Sequence, residues 1–135
     1  MVTAVVAVLL ALSGLHVYWA LGGRRGVAVA VPTSPNGAQL FRPSILATLM
    51  VACALGLAAL LVLAAHGVLR APVPEVLLIV GERALACVFL LRALGEFRYV
   101  GLFRRVRATP FARWDAWLFT PLCLLLGVVV WTLPR

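Results

Sequence analysis

Lysine is absent from this chain, acidic residues number only four, and charged residues of all kinds make up 12%. A soluble domain carries about 25% charge, so the sequence lacks the material for a surface that faces water all round. The twelve positive charges are all arginine, a bias that GC-rich coding explains without chemistry, and they leave a net charge of +8. A basic balance can mean nucleic acid. Here, however, the arginines flank long apolar runs, where they set orientation in a bilayer and meet anionic lipid headgroups. Nucleic acid is not expected as a partner; membrane lipids with anionic headgroups are.

Cysteine is also scarce. Cys53, Cys87 and Cys123 each lie inside an apolar run, with no CxxC pair and no partner at metal-ligand spacing, so they read as small packing residues. GxSxG, HExxH and a phosphate-cradling glycine loop are all missing, which leaves hydrolase and nucleotide chemistry without support. No metal or other cofactor is expected. His16 and His66 fall at opposite faces of the membrane in the topology derived below, which argues against a haem held by both.

What the chain has in abundance is apolar sequence: 64% hydrophobic residues and a mean hydropathy of +1.11 over 135 residues. Four runs are long enough to cross a bilayer, whose hydrocarbon core takes about 20 helical residues. They cover residues 2–21, 44–69, 73–94 and 111–133. The expected fold is a single all-α domain, an integral membrane four-helix transmembrane bundle. Nothing charged precedes the first run, unlike a signal peptide, so it reads as an uncleaved helix.

The connections carry the punctuation. Between Gly22 and Pro43 come Pro32, Pro35-Asn36-Gly37 and Arg42-Pro43, which are turn and breaker signals; Val27 to Val31 is too short for a stable strand and reads as interfacial. Ala52 and Gly56 in the second run have the small-xxx-small spacing that lets helices approach closely. His66 ends that run and reads as an interfacial histidine in water. Thr109-Pro110 is a helix start, threonine as N-cap and proline at the first helical position. Pro121 should free a backbone carbonyl and bend the last helix.

Arginine counts set the orientation. The first connection holds Arg24, Arg25 and Arg42, and the third holds Arg98, Arg104, Arg105, Arg107 and Arg113, against Arg70 and Arg135 on the other side. By the positive-inside rule both long connections are cytoplasmic and both termini outside.

The third run is unusual, with Glu82 and Arg83 at membrane depth, where ionisable groups are tolerated only facing protein or water. Glu75, Leu78, Glu82, Leu85, Phe89, Arg92 and Glu96 share one a/d stripe that should face the other helices. Arg83 lies about a quarter turn off it and should pair with another helix, across a dimer for example, or line a wet crevice. Arg92 and Glu96, four residues apart, are expected to form an ion pair.

Topology collects the polar residues. His16, Tyr18 and Trp19 close the first helix, Phe41 and Arg42 open the second, Arg92 and Glu96 end the third, and Trp114 and Asp115 begin the fourth. All reach one layer near the cytoplasmic side. Trp19, Arg42, Arg92, Arg98, Arg104, Arg105, Trp114 and Asp115 are the expected ligand-binding set, with arginines holding an anionic head bidentately and the tail lying between helices. His16, Glu82 and Glu96 are the candidates for acid–base work or proton movement on a lipid-soluble substrate, the alternative reading. A structural or partner subunit, one that docks through the third helix or forms a homo-oligomer, is the remaining one.

The segments LHVYWALGG (Leu15 to Gly23), FRP (Phe41 to Pro43) and FLLRALGEFRYVGLFRRVRATPFARWD (Phe89 to Asp115) resemble a family of small bacterial four-span membrane proteins catalogued as a domain of unknown function. The resemblance covers essentially the whole chain. It implies a four-helix fold and membrane residence, and supplies no reaction, ligand or catalytic residue.

Overall fold

A computed structural model describes residues 1–134 of the chain. Arg135, counted above with Arg70, lies outside the described residues. Five helices follow one another: α1 (Val2–Ala20), the single turn α2 (Val27–Ala30), α3 (Ile45–Ala65), α4 (Glu75–Leu94) and α5 (Pro110–Thr132). No strand occurs among the described residues, only an isolated bridge between Thr33 and Gln39 around the Pro35-Asn36-Gly37 turn.

Three helices, α1, α3 and α5, are long and apolar enough to cross a membrane. At 1.5 Å per residue, the 21 residues of α3 extend about 31 Å. The four expected spans thus become three by this measure. With 20 residues α4 is as long as the others, but it carries Glu75, Glu82, Arg83 and Arg92.

The four long helices run alternately up and down. α1 packs along α3, α4 packs along α5, and a lighter contact of α3 with α4 joins the pairs. Leu9, Ala59, Val62, Ala86 and Val130 fill the core, each 0–1% exposed. Many large side chains point outward instead, among them Leu46, Val76, Leu91 and Leu125, each 60–70% exposed. An apolar exterior over a small core suits helices whose solvent is lipid.

The close approach of α1 to α3 falls where the small residues of α3 lie. Ser13 Oγ donates to the carbonyl of Ala52 at 2.7 Å, and a Cβ on Gly56 would stand 3.7 Å from the same hydroxyl. Between residues, the buried stripe of α4 is Glu82, Ala86, Phe89 and Ala93, so the inward face keeps Glu82 and Phe89 of the expected stripe and is completed by the small residues beside it.

α5 begins as its sequence dictates: Thr109 Oγ1 accepts from the backbone N–H of Ala112 at 3.1 Å, with Pro110 at the first helical position. It then widens into one π-helical turn, Asp115–Phe119, before resuming at Thr120. In that turn the N–H of Thr120 donates to the carbonyl of Asp115, five residues back. Pro121 has no N–H to offer, and the π turn ends two residues before it.

Candidate functional site

Asp115 lies at this π turn and is fully buried. Its Oδ1 accepts from Arg92 Nη2 at 2.8 Å; its Oδ2 accepts from the backbone N–H of Gly101 at 2.8 Å, from Thr120 Oγ1 at 3.0 Å and, more weakly, from Arg104 Nη1 at 3.4 Å. One carboxylate therefore ties together the end of α4, the connection that follows it and the start of α5. Leaving such a buried charge without partners would be severely unfavourable, and four donors prevent that.

The connection reaches Asp115 because two glycines let it fold back over the end of α4. Gly95 (φ +81°) and Gly101 (φ +88°) lie against each other, and Leu102 N–H donates to Ala93 C=O at 2.9 Å. A Cβ on Gly101 would overlap the carbonyl of Leu94, and one on Gly95 the carbonyl of Val100. Glu96 does not pair with Arg92, as its spacing implied. Its Oε1 accepts from the backbone N–H of Tyr99 at 2.6 Å and closes the turn, while Arg92 is claimed by Asp115.

The first connection is anchored by its own aromatics. Trp19 Nε1 donates to the carbonyl of Arg25 at 2.8 Å, and the Tyr18 ring covers Gly23 so closely that a Cβ there would collide with it. His16 Nδ1 bonds the Leu12 carbonyl at 2.8 Å, which requires the proton on Nδ1, and its ring meets Trp19 edge-on at 5.1 Å. In the neutral ring, Nε2 is then an acceptor.

Two cavities open at this end. The larger, about 840 Å³, lies between the end of α1, the first connection and the start of α3, with His16, Trp19, Arg24 and Arg42 in its walls. The smaller, about 460 Å³, holds Arg92 and Glu96 among Pro32, Leu91, Val100 and Phe111. Ala30 and Phe41 belong to both walls. Arg92 presents a further feature: its Nη1 is buried and has no hydrogen-bond partner.

The expected binding residues thus divide. Trp19 and Arg42 line the larger cavity, Arg92 lines the smaller, and Asp115 with Arg104 lies behind Arg92 as its support. Arg98 is exposed and stacks on Tyr99 at 5.2 Å; Arg105 is exposed; Trp114 faces outward beside Arg113 and Trp117 in a separate depression. His16 shares its cavity wall with no carboxylate.

Glu82 has a partner that sequence reasoning did not give it. His66 Nε2 meets Glu82 Oε1 at 2.8 Å, and both side chains are buried, 6% and 1% exposed. The histidine expected in water is therefore an interhelical partner. Sequence position gave no sign of it: His66 caps the end of α3, whereas Glu82 lies two turns into α4. Arg83 also finds its partner within the chain, donating to the Trp131 carbonyl and stacking over the Trp131 ring at 4.8 Å.

Fold and site together define an all-helical protein with three helices apt to cross a membrane and a buried, arginine-held carboxylate at one end. The chain belongs to the family described as protein of unknown function (DUF3995), whose family model matches residues 9–130. No curated protein and no solved structure matches it.

Proposed function

We propose that this protein is a four-span membrane protein that binds an anionic amphiphile, most simply an anionic phospholipid, at its arginine-rich end. The observation that carries the reading is Arg92. Asp115 fixes its guanidinium through one nitrogen, Nη1 is left buried and unpartnered, and the residue lines a cavity of mostly apolar walls. A buried donor without a partner is unfavourable, and a phosphate or carboxylate oxygen would satisfy it. Arg24 and Arg42 across the shared Phe41 wall supply further charge, and the apolar exterior of the helices suits the tail.

In this reading α4 is the fourth span. Glu82 is held by His66, and Arg83 by Trp131, so neither charge faces hydrocarbon alone. The arginine-rich connections lie on the cytoplasmic side of the membrane, which places both described ends of the bundle at the other face.

The test is lipid retention. Protein purified in mild detergent is exchanged into nanodiscs of mixed neutral and anionic phospholipid, and bound lipid is counted by native mass spectrometry after release. Anionic lipid should be enriched, and Arg42→Gln together with Arg24→Gln should lower that enrichment about threefold to tenfold, as expected for charge-assisted contacts. Equal retention of neutral and anionic lipid by the unaltered protein would refute the proposal.

A further inference from the structure

The opposite end of the bundle carries a cavity of different chemistry. About 420 Å³ in volume, it lies where α1 begins, α3 ends, α4 begins and α5 has just ended, with Val2, Ala65, Leu78 and Pro134 among its apolar walls. Its polar wall residues are His66 and Glu75. Such a volume falls within the range of small-ligand sites, about 300–1,000 Å³.

The tautomer of His66 follows from its bond. A carboxylate oxygen accepts, so against an ionised Glu82 it is Nε2 that carries the proton, and an uncharged ring then has Nδ1 as an acceptor. The glutamate orients the imidazole by holding one ring nitrogen, which leaves the other to act. Glu75, exposed at the first turn of α4, adds a carboxylate at the rim. The cavity therefore offers acceptors, and no arginine stands in its described walls, although the chain as a whole is +8. Two of the four acidic residues lie at or beneath this one cavity.

We infer that the cavity lined by His66 and Glu75, backed by Glu82, is a binding site for a small apolar amine, with the ammonium between the Glu75 carboxylate and His66 Nδ1 and the alkyl body against Val2, Leu78 and Pro134. An ammonium has three donors and no acceptor, which matches what these two side chains leave open. An anion would meet two carboxylates here. The site is separate from the arginine-rich end and does not depend on the reading of that end.

Isothermal titration calorimetry on the whole protein in nanodiscs tests it, with hexylammonium chloride as probe and hexanol and sodium hexanoate as matched controls. Saturable binding of hexylammonium is expected, with no saturable binding of hexanol. Glu75→Gln should weaken it about fivefold, the scale of an exposed charge pair, and His66→Asn about tenfold. Glu82→Gln should also weaken it; if that variant fails to fold by circular dichroism, the two other variants decide. Absence of saturable hexylammonium binding, equal binding of hexanol, or unchanged affinity in both Glu75→Gln and His66→Asn would overturn the inference.

Discussion

Arg92 passes over Glu96, four residues along its own chain, and bonds Asp115, 23 residues away, at 2.8 Å. The choice follows from burial. Asp115 is wholly enclosed and needs its cations, whereas Glu96 is exposed and satisfied by the N–H of Tyr99. A same-helix pair in water is worth only about 0.3–0.5 kcal/mol, too little to hold Arg92 back.

Asp115→Ala should therefore be the most damaging single change at this end. Removing one partner of a buried charge network costs about 3–5 kcal/mol, and the loss should appear as a lowered unfolding midpoint in detergent. Asp115→Asn, which keeps an acceptor for Gly101 N–H, should fall between that variant and the unaltered protein. A midpoint unchanged in Asp115→Ala would show that the bond set is not supporting the fold.

Gly101→Ala tests the fold-back of the third connection. At φ +88° the new Cβ is strained, and it would meet the backbone carbonyl of Leu94, which cannot swing aside as a side chain could. A destabilisation of about 1–3 kcal/mol is expected, together with faster proteolysis between Glu96 and Arg107. Gly37→Ala has an equally positive φ but open space around it, so it should show the smaller effect.

Arg83→Ala should cost about 1–2 kcal/mol, from a stacking contact with Trp131 and a charge-assisted bond to its carbonyl. Arg83→Lys should recover only part of this, because an ammonium lacks the planar fork that stacks and donates at once. Trp131 fluorescence reports on the contact directly. Since Arg83 is engaged within its own chain, size-exclusion elution of Arg83→Ala should not shift.

The seam between α1 and α3 makes a quantitative prediction of its own. Ser13→Ala removes one interhelical hydrogen bond and should cost about 0.6 kcal/mol, the average for such bonds between membrane helices. Gly56→Leu should cost more, because Ser13 already stands at contact distance from the position of its Cβ. Ala47→Leu on the exposed face of α3 should cost little.

Much of the fold was legible because it rests on length and composition. The helix bounds fall within a few residues of the apolar runs, the Thr109-Pro110 start forms the cap its residues imply, and the small residues of α3 mark the seam with α1. The gathering of His16, Trp19, Arg42, Arg92 and Asp115 at one end was also readable, since alternating helices turn sequence position into depth. The pairings within that layer were not. Spacing along one helix suggested Arg92 with Glu96, but a partner was chosen by burial, which only packing decides. His66 was misread for the same reason: at a helix end it looked wet, yet α4 covers it. The motif glycines became intelligible only once Tyr18 over Gly23 and the crossing at Gly95 and Gly101 were visible.

The single wide turn at Asp115–Phe119 inserts one residue more than an α-helix needs there. At about 100° per residue, Ala112 and Val130 would share a direction on an unbroken α-helix, and Phe111 and Leu126 would lie on the same face, so the wide turn is not what buries them. The extra residue serves the site instead: it lets Thr120 reach back to Asp115 with both its backbone N–H and its hydroxyl. A one-residue deletion between Asp115 and Thr120 should therefore disturb that double contact, and should be less tolerable than a deletion in the Gly22 to Pro43 connection.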